Sequence, residues 1–448
     1  MTTSQRELFG TDGIRGDAAA LLTDDLVEAL GRAAVEVLGG ERTRMAILRD
    51  TRESGERIEA ALARGAAAAG ADVKLAGVLP TPAAPVLIGN YGFDLVAVVS
   101  ASHNPYADNG IKFFGADGLK LSDATEVEIE ARIDGSTDKS EHHGSVTALH
   151  GAADDYLRAL HQRFDGLDLS GMRIILDTAN GATYRVAPEI MRRLGAEVEV
   201  VADTPNGRNI NADCGSTHLE KLIERVQAAE ADGHPATAGF AFDGDGDRVL
   251  AVDRAGRVVD GDELIALAAL HLREQGRLPG DGVVVTVMTN FGFHQAMDEA
   301  GINVATTPVG DRYVLDEMLA RDWMLGGEQS GHVIERGFAP SGDGTASALL
   351  TLEALAGREG GLHDVVPMDK LPQALVNVRV ADRSAITGAD AVWTAVSDEE
   401  AALAGRGRVL VRPSGTEPLV RVMAEAPTAD EADAVCARLA GLIERELG

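Results

Sequence analysis

The sequence predicts an α/β fold: three repeated α/β domains with mixed sheets and a smaller C-terminal α+β domain, arranged around a central cleft. Two observations support this fold class. A pattern of strand, helix and strand occurs three times, and each copy continues to a further strand that ends in an unusual loop. The last part of the chain follows a different pattern. The predicted domains span residues 1–152, 153–256, 257–369 and 370–448.

Each repeated unit begins with a short apolar strand that ends in polar residues. These strands lie at 47–52, 175–180 and 285–290. A helix-like segment follows and closes with a glycine, a natural helix terminator, before apolar residues resume a strand. These glycines are Gly70, Gly195 and Gly301. Strand, helix and strand at this length form a parallel crossover unit, so three α/β domains are the economical interpretation.

The next strand of each unit ends in a loop that carries polar and charged residues. The three loops lie at 100–105, 243–248 and 326–332. In open α/β sheets, ligands bind beyond the carboxyl ends of the strands. Loops in corresponding places therefore predict one shared cleft, to which each domain contributes a wall.

The C-terminal segment predicts a small sheet covered by a helix. Strands are expected at 376–380, 409–412 and 419–423, followed by an amphipathic helix. Between the last two strands, small residues in a tight turn can aim amide N–H groups and hydroxyls at one anion. Arg412 and Arg421 can add bidentate contacts to a phosphate. A plain Pro/Gly turn fits the same segment equally well.

The acidic loop of the second unit is the most informative segment. Asp243, Asp245 and Asp247 alternate with glycines, and Arg248 follows at once. Alternate residues of an extended segment point the same way, so the three carboxylates are expected to converge on one cation, and the glycines leave that approach open. Oxygen ligands alone favour a hard cation such as Mg2+, which takes the rest of its shell from phosphate or water. The loop therefore predicts phosphoryl chemistry.

Two other interpretations compete with metal binding at this loop. An EF-hand calcium loop needs glycine at its sixth position and glutamate at its twelfth, where this chain has Arg248 and Arg254, so it is excluded. A solvated acidic turn is the usual fate of a short charged run. The apolar segments at 238–242 and 249–252 favour the metal site, although a surface turn between two buried strands stays open.

Composition argues against several classes of partner. The 448-residue chain is too long for one ordinary core, and its 45% apolar content is typical of a globular protein. A net charge of -30 opposes binding to nucleic acid or to an anionic membrane. Cys214 and Cys436 are too few for a disulfide framework or a structural zinc site. Without a signal-peptide core or an apolar run of membrane length, a cytoplasmic protein is expected, and homodimer formation stays open.

Four loops together closely resemble those of the alpha-D-phosphohexomutase family, in the same order and along the whole chain. They lie at 100–105, 243–248, 327–332 and 412–418. The resemblance implies an enzyme, an intramolecular phosphotransferase, whose phosphorylated residue is Ser102. It also implies that the phosphate on Ser102 completes a Mg2+ site with Asp243, Asp245 and Asp247. Ser100 is a neighbouring rival that only the family pattern sets aside.

The same resemblance implies roles for the other site residues. The catalytic group comprises Ser102, His103, Lys112, Arg15 and His332. The substrate-binding group comprises Arg248, Glu328, Gln329, Ser330, Arg412, Ser414, Gly415, Thr416 and Arg421. The proton carrier is left open, because an arginine stays protonated in almost any setting and histidine is the easier carrier near neutral pH.

The opening segment at 9–16 and Gln329 resemble the branch of the family that converts glucosamine 6-phosphate into glucosamine 1-phosphate, on the route to cell-wall amino sugars. That reaction passes through a bound 1,6-bisphosphate, so glucose or glucosamine 1,6-bisphosphate is the expected phosphorylating activator. A mannose or glucose phosphate mutase is the alternative within the family. A non-catalytic, metal-stabilised sugar-phosphate-binding protein is the alternative outside it.

Overall fold

The structure is a computed structural model that describes residues 8–10, 12–40, 42–133, 143–358, 360–414 and 417–448. The chain divides into two compact units. The first comprises Met1–Met288 and Ile302–Val366, and the second comprises Thr289–Gly301 and Pro367–Gly448. Among the described helices, none combines the length and the apolar character that a membrane span requires.

The N-terminal part of the first unit contains a six-stranded mixed sheet. Its strands are β1 (Ile14–Asp17), β2 (Arg44–Arg49), β3 (Asp72–Val78), β4 (Leu95–Val99), β5 (Asp108–Gly115) and β6 (Val146–Ala148). They are ordered β1-β5-β4-β2-β3-β6, with β5 antiparallel to both β4 and β1. Its helices are α1 (Asp24–Leu38), α2 (Gly55–Ala68), α3 (Ala83–Tyr91) and α4 (Asp123–Ile133). Every residue of β4 is apolar and buried, which fixes the start of the loop at 100–105 that follows it. This loop is called the serine loop.

The second sheet has five strands and follows the same plan. Helices α5 (Ala152–Arg163), α6 (Val186–Arg193) and α7 (Glu220–Ala231) accompany strands β7 (Arg173–Asp177), β8 (Glu197–Val201), β9 (Ala238–Phe242), β10 (Val249–Val252) and β11 (Val258–Val259). The order is β11-β10-β9-β7-β8. Strand β9 is parallel to β7 but antiparallel to β10, so the acidic loop is the connection between two buried strands.

The third sheet has four strands, in the order β13-β12-β14-β15. They are β12 (Gly282–Thr286), β13 (Asn303–Thr307), β14 (Leu325–Gly327) and β15 (Val333–Glu335), with helices α8 (Gly261–Glu274), α10 (Asp311–Arg321), α11 (Gly344–Leu355) and α12 (Leu362–Val365). Asp260 and Glu263 form a capping box at the start of α8, and the Asp343 side chain caps α11. The loop at 328–332, called the sugar loop here after the family resemblance, connects β14 to β15, which pair antiparallel.

The second unit is a smaller antiparallel sheet with helices. Its elements are α9 (Phe291–Ala300), β16 (Gln373–Arg379), α13 (Asp390–Leu403), β17 (Arg408–Pro413), β18 (Leu419–Glu425) and α14 (Ala429–Leu447). The order β16-β18-β17 places β18 in the centre. Its core includes Val420 and Val422 from β18 together with Leu439 and Ile443 from α14. The buried Glu425 carboxylate accepts from the Phe291 backbone N–H, which ties α9 to this sheet.

These four sheets confirm the predicted fold class of three α/β domains with mixed sheets and a smaller α+β domain. The four domain boundaries stay predictions. Several expected strand bounds differ from the structure. Strand β2 ends at Arg49 rather than at 52, β7 ends at Asp177 rather than at 180, and the strands of the C-terminal sheet also have slightly different bounds. Strand β12 ends at Thr286 rather than at 290, because the Asn290 side chain accepts from the Gly292 N–H and caps α9. The strand expected at 323–325 starts only at Leu325.

His294 on α9 gives the second unit a predictable sensitivity to acid. Burial, followed by the nearby Arg408, lowers the pKa of His294 from 6.5 to about 4. The unfolded chain takes up this proton near pH 6.5, whereas the folded chain takes it up only near pH 4. The stabilising contribution is therefore full above pH 6.5 and is lost as the pH falls towards 4.

We expect His294→Gln to reduce the loss of unfolding free energy between pH 7 and pH 4 by up to roughly 3 kcal/mol. Urea denaturation at both pH values measures this difference. His161→Gln, which replaces an exposed histidine on α5, is the matched control and should keep the wild-type difference. A His294→Gln chain with the wild-type pH dependence would contradict the assignment.

Candidate active site

Ser102 lies in the loop that directly follows β4, and it is only 1% exposed. Its Oγ donates to Asp243 Oδ2 at 2.6 Å and lies 3.2 Å from His103 Nδ1. The rival, Ser100, points elsewhere, because its Oγ donates to Asp50 Oδ2 at 2.6 Å. Of the two serines, Ser102 is therefore the one that contacts the acidic loop.

Asp243, Asp245 and Asp247 converge as predicted, but by a different geometry. One carboxylate oxygen from each lies within 4.8 Å of the others, and all three side chains are buried. The expectation of an extended segment is wrong, because residues 243–248 form a turn in which Gly246 has a φ of +72°. A Cβ on Gly244 would lie 2.5 Å from the Ser102 carbonyl oxygen, so glycine is what lets the acidic loop approach the serine loop.

The three carboxylates differ in the direction of their pKa shifts. Burial raises the pKa of Asp243 well above its usual value, and the charges of Asp247 and Asp245 raise it further. Burial and Asp247 also raise the pKa of Asp245, but the charge and hydrogen bond of Lys112 and the hydrogen bond from Thr81 all lower it, and the net shift is downward. For Asp247, His332 outweighs burial and lowers the pKa. The triad therefore holds two stabilised carboxylates and a third whose charge is unfavourable.

The residues at this loop fit a bound metal ion. The Oδ1 atoms of Asp245 and Asp247 are buried and lack a hydrogen-bond partner among the described residues. Orphaned buried acceptors are costly, and a cation would satisfy both. The donor set consists of oxygen atoms alone, which suits a hard cation.

Acidic and basic side chains alternate along a series of contacts that begins at Asp245 and ends at Asp247, and the proximity of these two triad carboxylates closes the series into a ring. In order, its members are Asp245, Lys112, Asp12, Lys120, Asp311, His332 and Asp247. The closest N–O distances run from 2.5 Å between Lys120 and Asp12 to 3.9 Å between His332 and Asp311. Burial lowers the pKa of both Lys112 and His332, but their acidic neighbours outweigh it and the net shifts are upward. These shifts favour the cationic forms of Lys112 and His332.

The predicted catalytic residues Arg15 and His103 and the predicted substrate-binding residue Arg248 lie beside the same ring. Arg15 pairs with Asp12 at the start of β1. The Arg248 backbone N–H donates to Asp243 Oδ1 at 3.2 Å. Burial lowers the pKa of His103, and the charges of Arg248 and Arg15 lower it further. This shift favours the neutral form of His103, whose Nδ1 contacts the Ser102 hydroxyl.

A cavity of about 290 Å³ opens beside the ring. The predicted residues that line it are Arg15, Asp247, Arg248, Glu328 and His332. A wider cavity of about 850 Å³ shares His332 and Asp311 with it. Cationic donors and carboxylate acceptors around one space of this size suit a small anionic ligand that carries hydroxyl groups.

The sugar loop holds its side chains at different depths. Glu328 is half-buried and its Oε1 accepts from the Gly310 N–H at 3.1 Å, at the start of α10. The Gln329 carbonyl accepts from the Gly261 N–H at 3.0 Å, which anchors the loop to the start of α8. The Ser330 side chain is exposed. The Gln329 backbone and the Glu328 side chain fix this loop, and the Ser330 side chain is left open to solvent.

The segment at 412–418, which was predicted to bind phosphate and is called the phosphate loop, belongs to the second unit. Arg412 on β17 and Arg421 on β18 are cross-strand partners, and burial, followed by the charge of Arg421, lowers the pKa of Arg412. The Ser414 carbonyl accepts from Arg383 Nη1 at 2.8 Å. Gly415 and Thr416 lie outside the described residues. Two adjacent guanidinium groups repel one another, so this position favours a bound anion.

The sequence did not point to several residues that complete the site. Asp12, Lys120 and Asp311 belong to the ring, and Arg383 contacts the phosphate loop. Lys120 and Asp311 are 191 positions apart, so nothing local in the sequence marks their contact. Asp12 lies in the opening segment at 9–16, which resembles one branch of the family. That resemblance is the signal in the sequence that could have indicated Asp12.

The comparisons with known proteins agree with this architecture. Four domain descriptions of phosphoglucomutase/phosphomannomutase match the chain: alpha/beta/alpha domains I, II and III and the C-terminal domain. They cover residues 6–140, 154–256, 260–371 and 375–442. The chain therefore belongs to the phosphoglucomutase/phosphomannomutase family, and it is an isomerase that transfers a phosphoryl group.

One relative is a phosphoglucosamine mutase of Moorella thermoacetica, 48% identical over 441 residues, which cover 97% of this chain and 98% of that protein. Among solved structures, a phosphoglucomutase/phosphomannomutase family protein from Burkholderia thailandensis has a TM-score of 0.81 at 23% identity, over 98% of both chains. An Aspergillus fumigatus N-acetylphosphoglucosamine mutase, solved with GlcNAc-6P and magnesium, has a TM-score of 0.65 at 19% identity. That alignment covers 98% of this chain and 96% of the other.

Proposed function

We propose that this chain is a phosphoglucosamine mutase, which interconverts glucosamine 6-phosphate and glucosamine 1-phosphate through a phosphorylated Ser102. The main observation that supports this proposal is the contact of the Ser102 hydroxyl with a buried acidic triad, beside a cavity lined by cationic and acidic side chains. The alignment with a phosphoglucosamine mutase at 48% identity, over nearly the full length of both chains, supports the choice of an amino sugar.

The proposed cycle has two transfers that balance. In the first, the bond between phosphorus and Ser102 Oγ breaks and a bond to the 1-hydroxyl oxygen forms; the 1-hydroxyl proton passes to a base and Ser102 Oγ takes up a proton. The resulting 1,6-bisphosphate turns over while bound. In the second, the bond between phosphorus and O6 breaks and a bond to Ser102 Oγ forms; Ser102 Oγ gives up its proton and O6 receives one. No net proton, phosphate or water is consumed.

The chain's own groups suit these proton transfers. His332 has a raised pKa and lines the cavity, so its cationic form can donate to a leaving oxygen, and the buried Lys112 is a second donor. His103 is neutral and contacts the Ser102 oxygen, so it can accept a proton there. Arg15 and Arg248 stabilise the negative charge of the moving phosphoryl group without titrating.

Mg2+ is the proposed cation, held by Asp243, Asp245, Asp247 and the phosphate on Ser102. A divalent cation at this position neutralises charge on the phosphoryl group, a contribution of several kcal/mol. The oxygen-only donor set supports this choice, as does the magnesium in the Aspergillus fumigatus enzyme.

Roles are also proposed for the remaining substrate contacts. Glu328, Gln329 and Ser330 bind sugar hydroxyls, and the loop of Arg412, Ser414, Gly415, Thr416 and Arg421 holds the phosphate that does not react. Glucose or glucosamine 1,6-bisphosphate is the proposed source of the first phosphoryl group. A cytoplasmic location fits a phosphosugar substrate.

Side-by-side turnover of glucosamine, glucose and mannose 6-phosphates tests the substrate. The cavity is lined by the acidic residues Asp12, Asp123, Asp247, Asp311 and Glu328. Four of these carboxylates pair with cationic side chains, so we expect the half-buried Glu328 carboxylate to be the one that favours an ammonium group over a neutral hydroxyl. We expect kcat/KM for glucosamine 6-phosphate to exceed the others by at least about tenfold. A preference for glucose or mannose 6-phosphate would support the alternative mutase instead.

A further inference from the structure

Arg52 is a fully buried arginine beneath the serine loop. Its side chain is 0% exposed, and its Nε donates to Asp50 Oδ2 at 2.8 Å. The other nitrogens donate to four backbone carbonyls of one short segment. These belong to Ser102 at 2.9 Å, Asn104 at 2.8 Å, Asp108 at 2.9 Å, and Pro105. One guanidinium thus connects the whole serine loop to the end of β2.

Ser102 is fixed from both sides by this arrangement. Its N–H donates to Ser100 Oγ at 3.0 Å, and Ser100 Oγ donates to Asp50, the partner of Arg52. Its carbonyl accepts from Arg52 and also from Asn211 Nδ2 at 2.9 Å. The backbone of Ser102 has a φ of +51°, a left-handed conformation that residues with a Cβ resist. Several converging hydrogen bonds are what hold such a conformation in place.

We propose that Arg52 is a positioning residue for phosphoryl transfer, which keeps Ser102 in its left-handed conformation and its Oγ directed at Asp243. This inference rests on the proposed function and deepens it. Arginine suits the task because its planar fork presents five N–H donors, whereas lysine presents three from one point. A buried cation is costly to desolvate, and an apolar side chain would fill the same space without that cost.

A positioning role for Arg52 predicts an effect on phosphoryl transfer but not on substrate binding. Arg52 does not line the cavity that the other site residues share. Phosphoryl transfer in either direction needs Ser102 Oγ within a fraction of an ångström of its productive position, and a 1 Å misplacement can cost about 100-fold in rate. Loss of the Arg52 hydrogen bonds should therefore slow both transfers and leave the affinity for the sugar phosphate nearly unchanged.

The test measures how fast Ser102 gains a phosphoryl group. The full chain with Mg2+ is mixed with glucosamine 1,6-bisphosphate, quenched at intervals and analysed by intact mass. For Arg52→Lys we expect the rate of phosphate gain and kcat to fall by about 100-fold. KM for glucosamine 6-phosphate should stay within about threefold of wild type. If Arg52 served only to stabilise the fold, Arg52→Lys would lower the melting temperature but would not lower kcat at an unchanged KM.

Arg57→Lys is the matched control. Arg57 also donates to two backbone carbonyls, those of Leu22 at 3.0 Å and Ala18 at 2.6 Å, and pairs with Asp24. It does not contact the serine loop, so its replacement should leave the phosphorylation rate at the wild-type value. A wild-type rate in Arg52→Lys, or a raised KM with an unchanged rate, would overturn the proposal.

A second variant keeps the test valid if Arg52→Lys fails to fold. Asn211→Gly removes the other donor to the Ser102 and Asn104 carbonyls, and glycine tolerates the φ of +57° at that position. We expect a fall of at least about tenfold in the phosphorylation rate, and no change would overturn the proposal. A wild-type chain that never gains phosphate would instead overturn the proposed function.

Discussion

Replacing Ser102 with alanine is expected to lower kcat by at least about 10⁴-fold, the largest effect of any single change considered for this chain. The variant removes the oxygen that carries the phosphoryl group, so neither half of the cycle can proceed. The metal loop and the cavity stay intact, because the Ser102 side chain contributes one hydrogen bond to Asp243 and a contact with His103. Steady-state assays with glucosamine 6-phosphate and intact mass after incubation with glucosamine 1,6-bisphosphate measure the loss.

Ser100→Ala is the matched control for this experiment. The Ser100 hydroxyl donates to Asp50 and accepts from the Ser102 N–H, so it supports the loop without facing the acidic triad. This variant should still gain one phosphate, although more slowly. If Ser100→Ala abolished phosphorylation while Ser102→Ala retained it, the assignment of the phosphorylated residue would be wrong.

The fold and the core of the site could be predicted because their signals are local. Buried strands such as β4 and β9 appear as unbroken apolar runs, and the loops that follow them stand out by their polar residues. The alternation of acidic residues with glycine at 243–247 depends on residue type and spacing alone. The turn that brings these carboxylates together could not be inferred, because the same spacing fits an extended segment.

The supporting contacts could not be predicted because they join distant parts of the chain. Lys120 reaches Asp311 across 191 positions, and Asn211 reaches the Ser102 carbonyl across 109. Neither side chain belongs to a recognisable pattern. Arg52 lies in the repeated phrase after β2, but the pattern does not reveal that its guanidinium turns inward to four carbonyls.

The distribution of charge around the triad links activity to stability. Lys112 stabilises the charge on Asp245, and His332 stabilises the charge on Asp247, but Asp243 is left with a strongly raised pKa. In the absence of a cation, an ionised Asp243 therefore opposes folding. A site that attracts a divalent cation needs this uncompensated charge, so the metal-free protein is less stable than it would be with a neutral residue there.

Asp243→Asn should for this reason have opposite effects on stability and activity. In EDTA at pH 8, we expect the free energy of unfolding of the variant to be roughly 1 kcal/mol or more above that of wild type, since the change removes a buried charge whose cost the nearby Arg248 does not offset. With Mg2+, kcat should fall by on the order of 10³-fold, because the cation contributes several kcal/mol to transfer. Urea denaturation with and without Mg2+ and isothermal calorimetry with Mg2+ measure the two effects.

The response to Mg2+ distinguishes the two chains. A cation that binds only the folded state stabilises it, so wild type should gain stability as Mg2+ is raised and Asp243→Asn should gain little. Asp203→Asn, which removes an exposed aspartate after β8, makes the same change in net charge and should behave as wild type. If Asp243→Asn bound Mg2+ with wild-type affinity, or were less stable than wild type in EDTA, the triad would be a structural cluster rather than the metal site of a mutase.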